Sequence, residues 1–203
     1  MDSVNMDAFL AGASSVVMIV AYAVYNWQVV RGRSTPNAAS WLVWAVAGIV
    51  SASSYFVMTG SIPKSLAVIT DATLCSSVFL LALFKKKFGK LLAIDFVVLG
   101  GSILGAGIWA TWGSADTANL FMQVIGLVGF LPTCVGLIRG TLQEEKMAWF
   151  LWGLAYFFAS IVVVKNFDSN WHNLVSPLLV GVAMHWFVAA LVVYQSRSRP
   201  AHP

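Results

Sequence analysis

Two ionisable side chains, Asp71 and His185, lie inside long apolar stretches of this chain. A carboxylate inside a membrane helix costs a few kcal/mol, so Asp71 is expected to face a partner or a cavity. There it could bind and release a proton, or it could accept a hydrogen bond from a hydroxyl such as that of Thr73. His185 could bond a backbone carbonyl, contribute to a pocket or titrate together with Asp71.

The apolar stretches around these residues are long enough to cross a lipid bilayer. The chain has 203 residues, 59% hydrophobic and 10% charged, whereas a soluble domain has about a quarter of its residues charged. Continuous runs of about 20 apolar residues indicate helices, not a β-barrel. The sequence therefore predicts an all-α integral membrane protein with seven spans: Asp7–Val30, Ala39–Thr59, Pro63–Phe84, Leu91–Trp112, Thr117–Ile138, Met147–Lys165 and Trp171–Tyr194.

The basic residues predict the orientation of these spans. Of the 12 lysines and arginines, only Lys64 and Lys165 fall on one side, and the others fall on the opposite side. The positive-inside rule then places the amino terminus outside and the carboxyl terminus in the cytoplasm, with a plasma (inner) membrane location. The net charge of +4 reflects this topology and contact with anionic lipid, and no nucleic-acid partner is expected.

An internal repeat organises the chain. An Arg-Gly pair is followed, 10 and 13 residues after the arginine, by two tryptophans, and the pattern recurs 108 residues later. Such self-similarity indicates duplication. The two copies are Arg31-Gly32 with Trp41 and Trp44, and Arg139-Gly140 with Trp149 and Trp152.

The 108-residue offset maps the first three spans onto the last three and leaves the fourth without a partner. An odd linker span makes both triplets cross the membrane in the same direction, so we expect parallel repeats related by an axis along the membrane normal, a plan found in transporters. The predicted units are a first bundle over 7–84, a linker helix over 91–112, a second bundle over 117–194 and a cytoplasmic tail over 195–203.

Four residues are candidates for gating. The repeated tryptophans could anchor helices at the membrane interface, where indoles are favoured, and pack the helices together. Alternatively, they could line an inner gate or cavity, in which case Trp44 and Trp152 are the candidates. Pro132 and Pro177 interrupt the fifth and seventh spans, where proline frees a carbonyl and kinks a helix. These prolines are therefore candidate hinges.

The segment from Val24 to Thr35, followed by Ser40, resembles the PQ-loop motif of PQ-loop and SWEET (MtN3) membrane proteins. In that motif a Pro-Gln or Pro-Thr pair precedes a basic cluster, Ser-Thr and a serine in the next helix. The first copy matches at Arg31, Arg33, Ser34, Thr35 and Ser40 and has Val24 at the proline position. The second copy matches at Pro132, Thr133 and Arg139 and has Leu142 at the serine position.

This resemblance implies an alternating-access transporter of a sugar, an amino acid or another small solute. It also implies a pocket between two triple-helix bundles. A sugar-binding asparagine of SWEETs corresponds to Asp71, a Pro-Asn-like segment corresponds to Ser176-Pro177-Leu178, and a family tryptophan falls near Ser53, Ser54 and Tyr55. The substrate-binding candidates, from the resemblance and from polarity together, are Asp71, His185, Tyr55, Ser54, Asn26, Ser176 and Trp186.

Other functional classes remain open at this point. A seven-helix receptor or scaffold on the same fold is the main alternative, since the KDEL receptor has a similar helical plan. The last span lacks the lysine that retinal binding needs. No nucleophile-base group, metal cluster or cofactor motif occurs, so an enzyme is not expected. Glu144-Glu145 is interpreted as a loop charge pair, and Asp95 as a solvated or paired charge near Lys90.

Glycines in the fourth span indicate close helix packing, which could include contacts with a second copy of the chain in a homo-oligomer. They are Gly100, Gly101, Gly105 and Gly107.

Overall fold

The computed structural model describes residues 3–112, 115–167 and 169–198, and these residues are almost entirely helical. The helices are α1 Ser3–Val30, α2 Ala38–Thr59, α3 Ile62–Lys85, α4 Ala93–Trp112, α5 Ala115–Val128, α6 Phe130–Ile138, α7 Lys146–Lys165, α8 His172–Leu174 and α9 Met184–Ser198. A π-helical segment, Val175–Ala183, connects α8 to α9.

Among the described residues, six helical spans are long and apolar enough to cross a membrane. They correspond to α1, α2, α3, α5 with α6, α7, and α8 with α9. The fourth predicted span corresponds to the 20-residue helix α4, in which Ala93–Leu104 is the apolar stretch whose side chains are all described. The prediction of an all-α fold is thus confirmed, and the six long apolar spans are compatible with an integral membrane protein.

The Arg-Gly pairs end two helices in the same way. Gly32 and Gly140 have φ angles of 70° and 68°, a left-handed conformation that glycine adopts at low cost. The surrounding backbone bonds also recur at the 108-residue offset. The first loop has Arg31 N to Trp27 O, Gly32 N to Val29 O and Arg33 N to Gln28 O, and the second has Arg139 N to Val135 O, Gly140 N to Leu137 O and Thr141 N to Gly136 O.

Helix packing relates the two halves of the chain in matching pairs. Helix α3 packs against both α1 and α2, and within the second half α7 packs against the π-helical segment and α9. Between the halves, α1 packs most extensively against α7, and α2 packs against α5. The 108-residue offset maps α1 onto the α5–α6 span and α2 onto α7, so these two contacts are equivalent to each other.

Two spans are interrupted near a proline. Helices α5 and α6 meet at Gly129, three residues before Pro132, whose ring nitrogen cannot donate to the carbonyl one turn earlier. Pro177 lies within the π-helical segment, so the last span is not a uniform α-helix. The sequence had predicted each as one continuous span with a kink.

Three loops lie together at one end of the molecule, which we call the basic end: residues 31–37, 86–92 and 139–145. The N–H of Gly89 donates to the carbonyl of Pro36 at 3.0 Å, and the N–H of Thr35 donates to the carbonyl of Gln143 at 2.7 Å. At the opposite end, the ammonium group of Lys165 lies 2.8 Å from a carboxylate oxygen of Asp7. Contacts between loops at the basic end, and between helices at the opposite end, therefore connect the spans.

The predicted tail over 195–203 begins within α9, which continues to Ser198, while residues 199–203 lie outside the described part of the chain. In α4, a Cβ added at Gly100, Gly101 or Gly107 would meet nothing within 4 Å. These three glycines therefore do not mediate close packing within the chain, and the side-chain position of Gly105 lies outside the description.

Candidate binding cavity

A cavity of about 80 Å³ lies where α1, α2, α3, α5, α6, α7 and the last span converge. Residues from both halves of the chain line it. They are Tyr22, Trp41, Trp44, Ala47, Gly48, Ser51, Val68, Asp71, Cys75, Met122, Gln123, Gly126, Phe130, Trp149, Trp152, Tyr156, Ser176, Val180 and His185.

Asp71 is the carboxylate of this cavity. It lies nine residues into the 24-residue helix α3, about 14 Å from the first residue at 1.5 Å per residue. The hydroxyl of Tyr22 donates to its Oδ1 at 2.6 Å, and the hydroxyl of Tyr156 donates to its Oδ2 at 2.9 Å. Tyr22 lies on α1 and Tyr156 on α7, so the carboxylate holds two helices through charge-assisted hydrogen bonds.

His185 also lines the cavity, and Tyr156 lies between it and Asp71. Its Nδ1 is 2.6 Å from the carbonyl oxygen of Gly181. Its ring stacks on that of Tyr156, with centroids 5.6 Å apart. Both interpretations of His185 thus hold together: it bonds a backbone carbonyl, and it contributes to the pocket.

The four repeated tryptophans form one buried cluster. Trp41 and Trp152 have ring centroids 5.7 Å apart, and the equivalent pair, Trp149 and Trp44, has centroids 6.1 Å apart. Trp41, Trp149 and Trp152 are at most 2% exposed. These side chains pack the helices of the two halves against each other, and all four also line the cavity.

One polar atom of this cluster has no partner. The indole nitrogen of Trp152 is buried and has no hydrogen-bond acceptor among the described residues, although the side chain is only 1% exposed. A buried N–H without an acceptor costs about 1–3 kcal/mol. The cavity therefore offers a hydrogen bond to an occupant.

The break at Gly129 supplies acceptors to side chains of α2. The hydroxyl of Ser40 donates to the Gly129 carbonyl at 2.6 Å, and the Trp44 indole donates to the Gly126 carbonyl at 2.9 Å. Thr133 donates to the Ser40 hydroxyl at 3.0 Å. Thus Pro132 does not line the cavity itself, but the interruption near it connects the two halves beside the cavity.

Four predicted substrate-binding residues lie elsewhere. Ser54 and Tyr55 are buried but bond backbone carbonyls, of Ser51 and Asn173 respectively. Asn26 donates to Ser77, and Trp186 donates to the Phe150 carbonyl while its ring is 37% exposed. Like Pro177, these four residues are not part of the cavity wall, whereas Asp71, His185, Ser176, Trp44 and Trp152 are.

Glu144 is buried, which corrects its interpretation as a loop charge. It is 7% exposed, accepts from the Tyr25 hydroxyl at 2.7 Å and accepts from the Trp149 indole at 3.2 Å. Burial raises the pKa of Glu144 from 4.5 to about 7, although these hydrogen bonds lower it. Its neighbour Glu145 pairs with Arg33 at 2.5 Å. A buried ionisable group therefore lies between the aromatic cluster and the loops of the basic end.

Asp95 is also buried, at 0% exposure. Its Oδ1 accepts from the side-chain amide of Asn37 at 2.7 Å, and its Oδ2 accepts from the backbone N–H of Leu92. The expected charge near the interface is instead a structural contact between the start of α4 and the start of α2.

Sequence reasoning missed Tyr22, Tyr156 and Glu144. A signal existed for Tyr156, because Trp149, Trp152 and Tyr156 follow the 3- and 4-residue spacing of one helix face. Glu144 had no such signal, since nothing in the sequence separates it from its solvent-accessible neighbour Glu145.

Comparisons of the chain with protein-family models, with curated proteins and with solved structures give no match. Among the described residues, no group of three or more His, Cys, Asp or Glu side chains could hold a metal ion.

Proposed function

We propose that this protein is an alternating-access transporter of a small polar solute. One observation carries the proposal: a cavity with a carboxylate near the middle of a span lies between the two halves of the chain. The carboxylate of Asp71, from the first half, accepts a hydrogen bond of 2.9 Å from the hydroxyl of Tyr156, from the second half. Binding or release at Asp71 would therefore act on the contact between two units that could rock against each other.

The architecture supported by these contacts is two parallel triplets and a linker, in the order three, one, three. A two-fold relation along the membrane normal requires equivalent contacts in the two triplets. The packing of α1 with α7 matches that of α2 with α5, and the two Arg-Gly caps match each other. The same features, with Ser40 bonded to Thr133, favour membership of the PQ-loop and SWEET superfamily. On this basis the basic end faces the cytoplasm and the amino terminus lies outside the inner membrane.

Proton coupling through Asp71 is part of this proposal. If protonation neutralises Asp71, its two tyrosine contacts lose their charge assistance, and the two halves can separate more easily. Transport and proton coupling are both tested by measuring uptake into proteoliposomes. A panel of sugars, amino acids and vitamins is supplied with and without an inward proton gradient. Saturable uptake supports transport, and stimulation by the gradient supports coupling.

A receptor or scaffold is the second candidate. The cavity alone supports this function equally, because a protein can bind a ligand and signal its presence without transporting it. A panel member that binds the purified protein but shows no flux in proteoliposomes would favour the receptor.

A further inference from the structure

The charge and the aromatic character of the cavity restrict what it can hold. Asp71 is its carboxylate, and among the described wall residues there is no lysine or arginine. The rings of Tyr22, Trp41, Trp44 and Tyr156 are part of the same wall. A ring face carries partial negative charge, and several rings beside a carboxylate attract a cation.

A cation matches the charge of this wall, whereas a neutral polyol does not. Both carboxylate oxygens of Asp71 accept tyrosine hydroxyls, at 2.6 and 2.9 Å, and each keeps a further lone pair toward an occupant. A cation needs no free lone pair, because it interacts with the charge of Asp71 and with the ring quadrupoles at distances of about 4–6 Å.

The unpartnered indole N–H of Trp152 adds a second requirement. This buried donor needs an acceptor, which neither a bare cation nor the described wall supplies. A cationic solute that also carries a hydroxyl or carbonyl oxygen would satisfy it. The cavity is small, so such a solute must be small as well.

We propose that the cavity binds a small organic ammonium ion bearing an oxygen acceptor, with Asp71 as its counter-ion, the surrounding rings as its cage and the Trp152 N–H as donor to its oxygen. This inference rests on the proposed function, because it names the class of solute for the same cavity.

The test compares choline with 3,3-dimethylbutan-1-ol, which has the same shape without the charge. Binding to the purified full-length protein in lipid nanodiscs is followed by intrinsic tryptophan fluorescence at constant ionic strength. We expect choline to bind at least tenfold more tightly than the alcohol. Asp71→Asn should reduce this preference below threefold, and the matched variant Asp95→Asn should keep it, because Asp95 lies outside the cavity.

The variant Trp152→Phe tests the indole N–H separately from the aromatic cage. It keeps an aromatic ring but removes the N–H, so choline should bind several-fold more weakly while tetramethylammonium, which has no acceptor, binds as before. Equal binding of choline and its neutral analogue, binding of neither, or a preference that survives Asp71→Asn would overturn the inference. Retention of the fold in each variant is checked by size-exclusion chromatography and thermal unfolding.

The outcomes also separate this inference from the proposed function. If the protein takes up a neutral solute in a saturable, Asp71-dependent way but binds no ammonium ion, the cation site is overturned and the transporter proposal remains supported. Ammonium binding without flux would leave the site standing and contradict transport.

Discussion

The backbone N–H of Thr35 donates to the carbonyl of Gln143 at 2.7 Å, and the N–H of Gln143 donates to the Thr35 hydroxyl oxygen at 2.8 Å. These two residues are 108 positions apart, the offset of the repeated Arg-Gly and tryptophan pattern. When equivalent residues of two repeats touch each other, they lie beside the axis that relates the repeats. The contact therefore marks where a two-fold axis of the proposed duplication would leave the basic end.

Cross-linking this contact should lock the basic end. The 2.7 Å backbone bond brings these two residues side by side, and a disulfide spans Cα atoms about 4.4–6.8 Å apart. The double variant Thr35→Cys with Gln143→Cys should form a disulfide under mild oxidation, measured by loss of maleimide labelling. We expect oxidation to abolish uptake in proteoliposomes and a reductant to restore it.

The single variant Thr35→Cys is the control for that experiment, since the native Cys75 and Cys134 are buried. Full uptake by the oxidised double variant would show that the basic end need not open during transport.

Glu144 should make the basic end sensitive to pH. Its pKa in the folded protein is about 7, above the ordinary 4.5, so the folded state binds the proton more tightly than the unfolded state. This stabilisation is fully present below about pH 4.5 and is lost as the pH rises through about 7, with a magnitude of roughly 3 kcal/mol. The thermal unfolding temperature, and the protection of amides 139–145 from hydrogen exchange, should fall between pH 5 and pH 8.

Glu144→Gln should flatten this dependence, because glutamine stays neutral throughout. The matched variant Glu145→Gln, at the solvent-accessible carboxylate paired with Arg33, should keep it. A Glu144→Gln protein with the wild-type pH slope would assign the slope to another group.

Gly181 should tolerate no side chain. A Cβ at this position would lie 2.3 Å from Cγ of Tyr156, the residue that bonds Asp71. Gly181→Ala should therefore destabilise the protein by about 1–3 kcal/mol through overpacking and should weaken solute binding. Denaturant unfolding in detergent measures the first effect and a binding titration the second.

Gly100→Ala provides the matched control, because its added Cβ meets nothing within 4 Å. It should be neutral or stabilising by up to about 1 kcal/mol through helix propensity. Equal destabilisation by both substitutions would mean that the contact with Tyr156 does not decide the outcome.

The two helix-ending glycines should respond alike. Gly32 and Gly140 share the left-handed conformation, which costs a β-carbon residue about 1–2 kcal/mol. Gly32→Ala and Gly140→Ala should each lower the unfolding free energy by about this amount, and asparagine at either site should lower it less. A large effect at only one site would contradict equivalent caps.

The sequence was sufficient for features that depend on local chemistry. Apolar runs predicted the helices, the Arg-Gly pairs marked two helix ends, and Asp71 stood out because a carboxylate is costly in a membrane span. Features that depend on the relative placement of helices were not predictable. The burial of the repeated tryptophans arises from packing between the two halves, and it is this packing that encloses Trp152 with Asp71.

The residues whose surroundings differ from the sequence expectation have the same explanation. Trp186 and Tyr55 are polar-tipped aromatic residues within their spans, but both donate to backbone carbonyls outside the cavity. Glu144 looked like an ordinary loop charge, yet the loop folds it onto Tyr25 and Trp149. Position within a span does not determine which way a helix face points.

The central claim is that the Asp71 cavity carries a solute across the membrane. The most direct measurement is uptake of radiolabelled sugars, amino acids and small ammonium ions into proteoliposomes containing the wild type, Asp71→Asn or Asp95→Asn. We predict saturable uptake of at least one solute by the wild type and by Asp95→Asn, and at least a tenfold reduction in Asp71→Asn. Undiminished uptake by Asp71→Asn, or the absence of flux for a solute that the protein binds, would contradict the account.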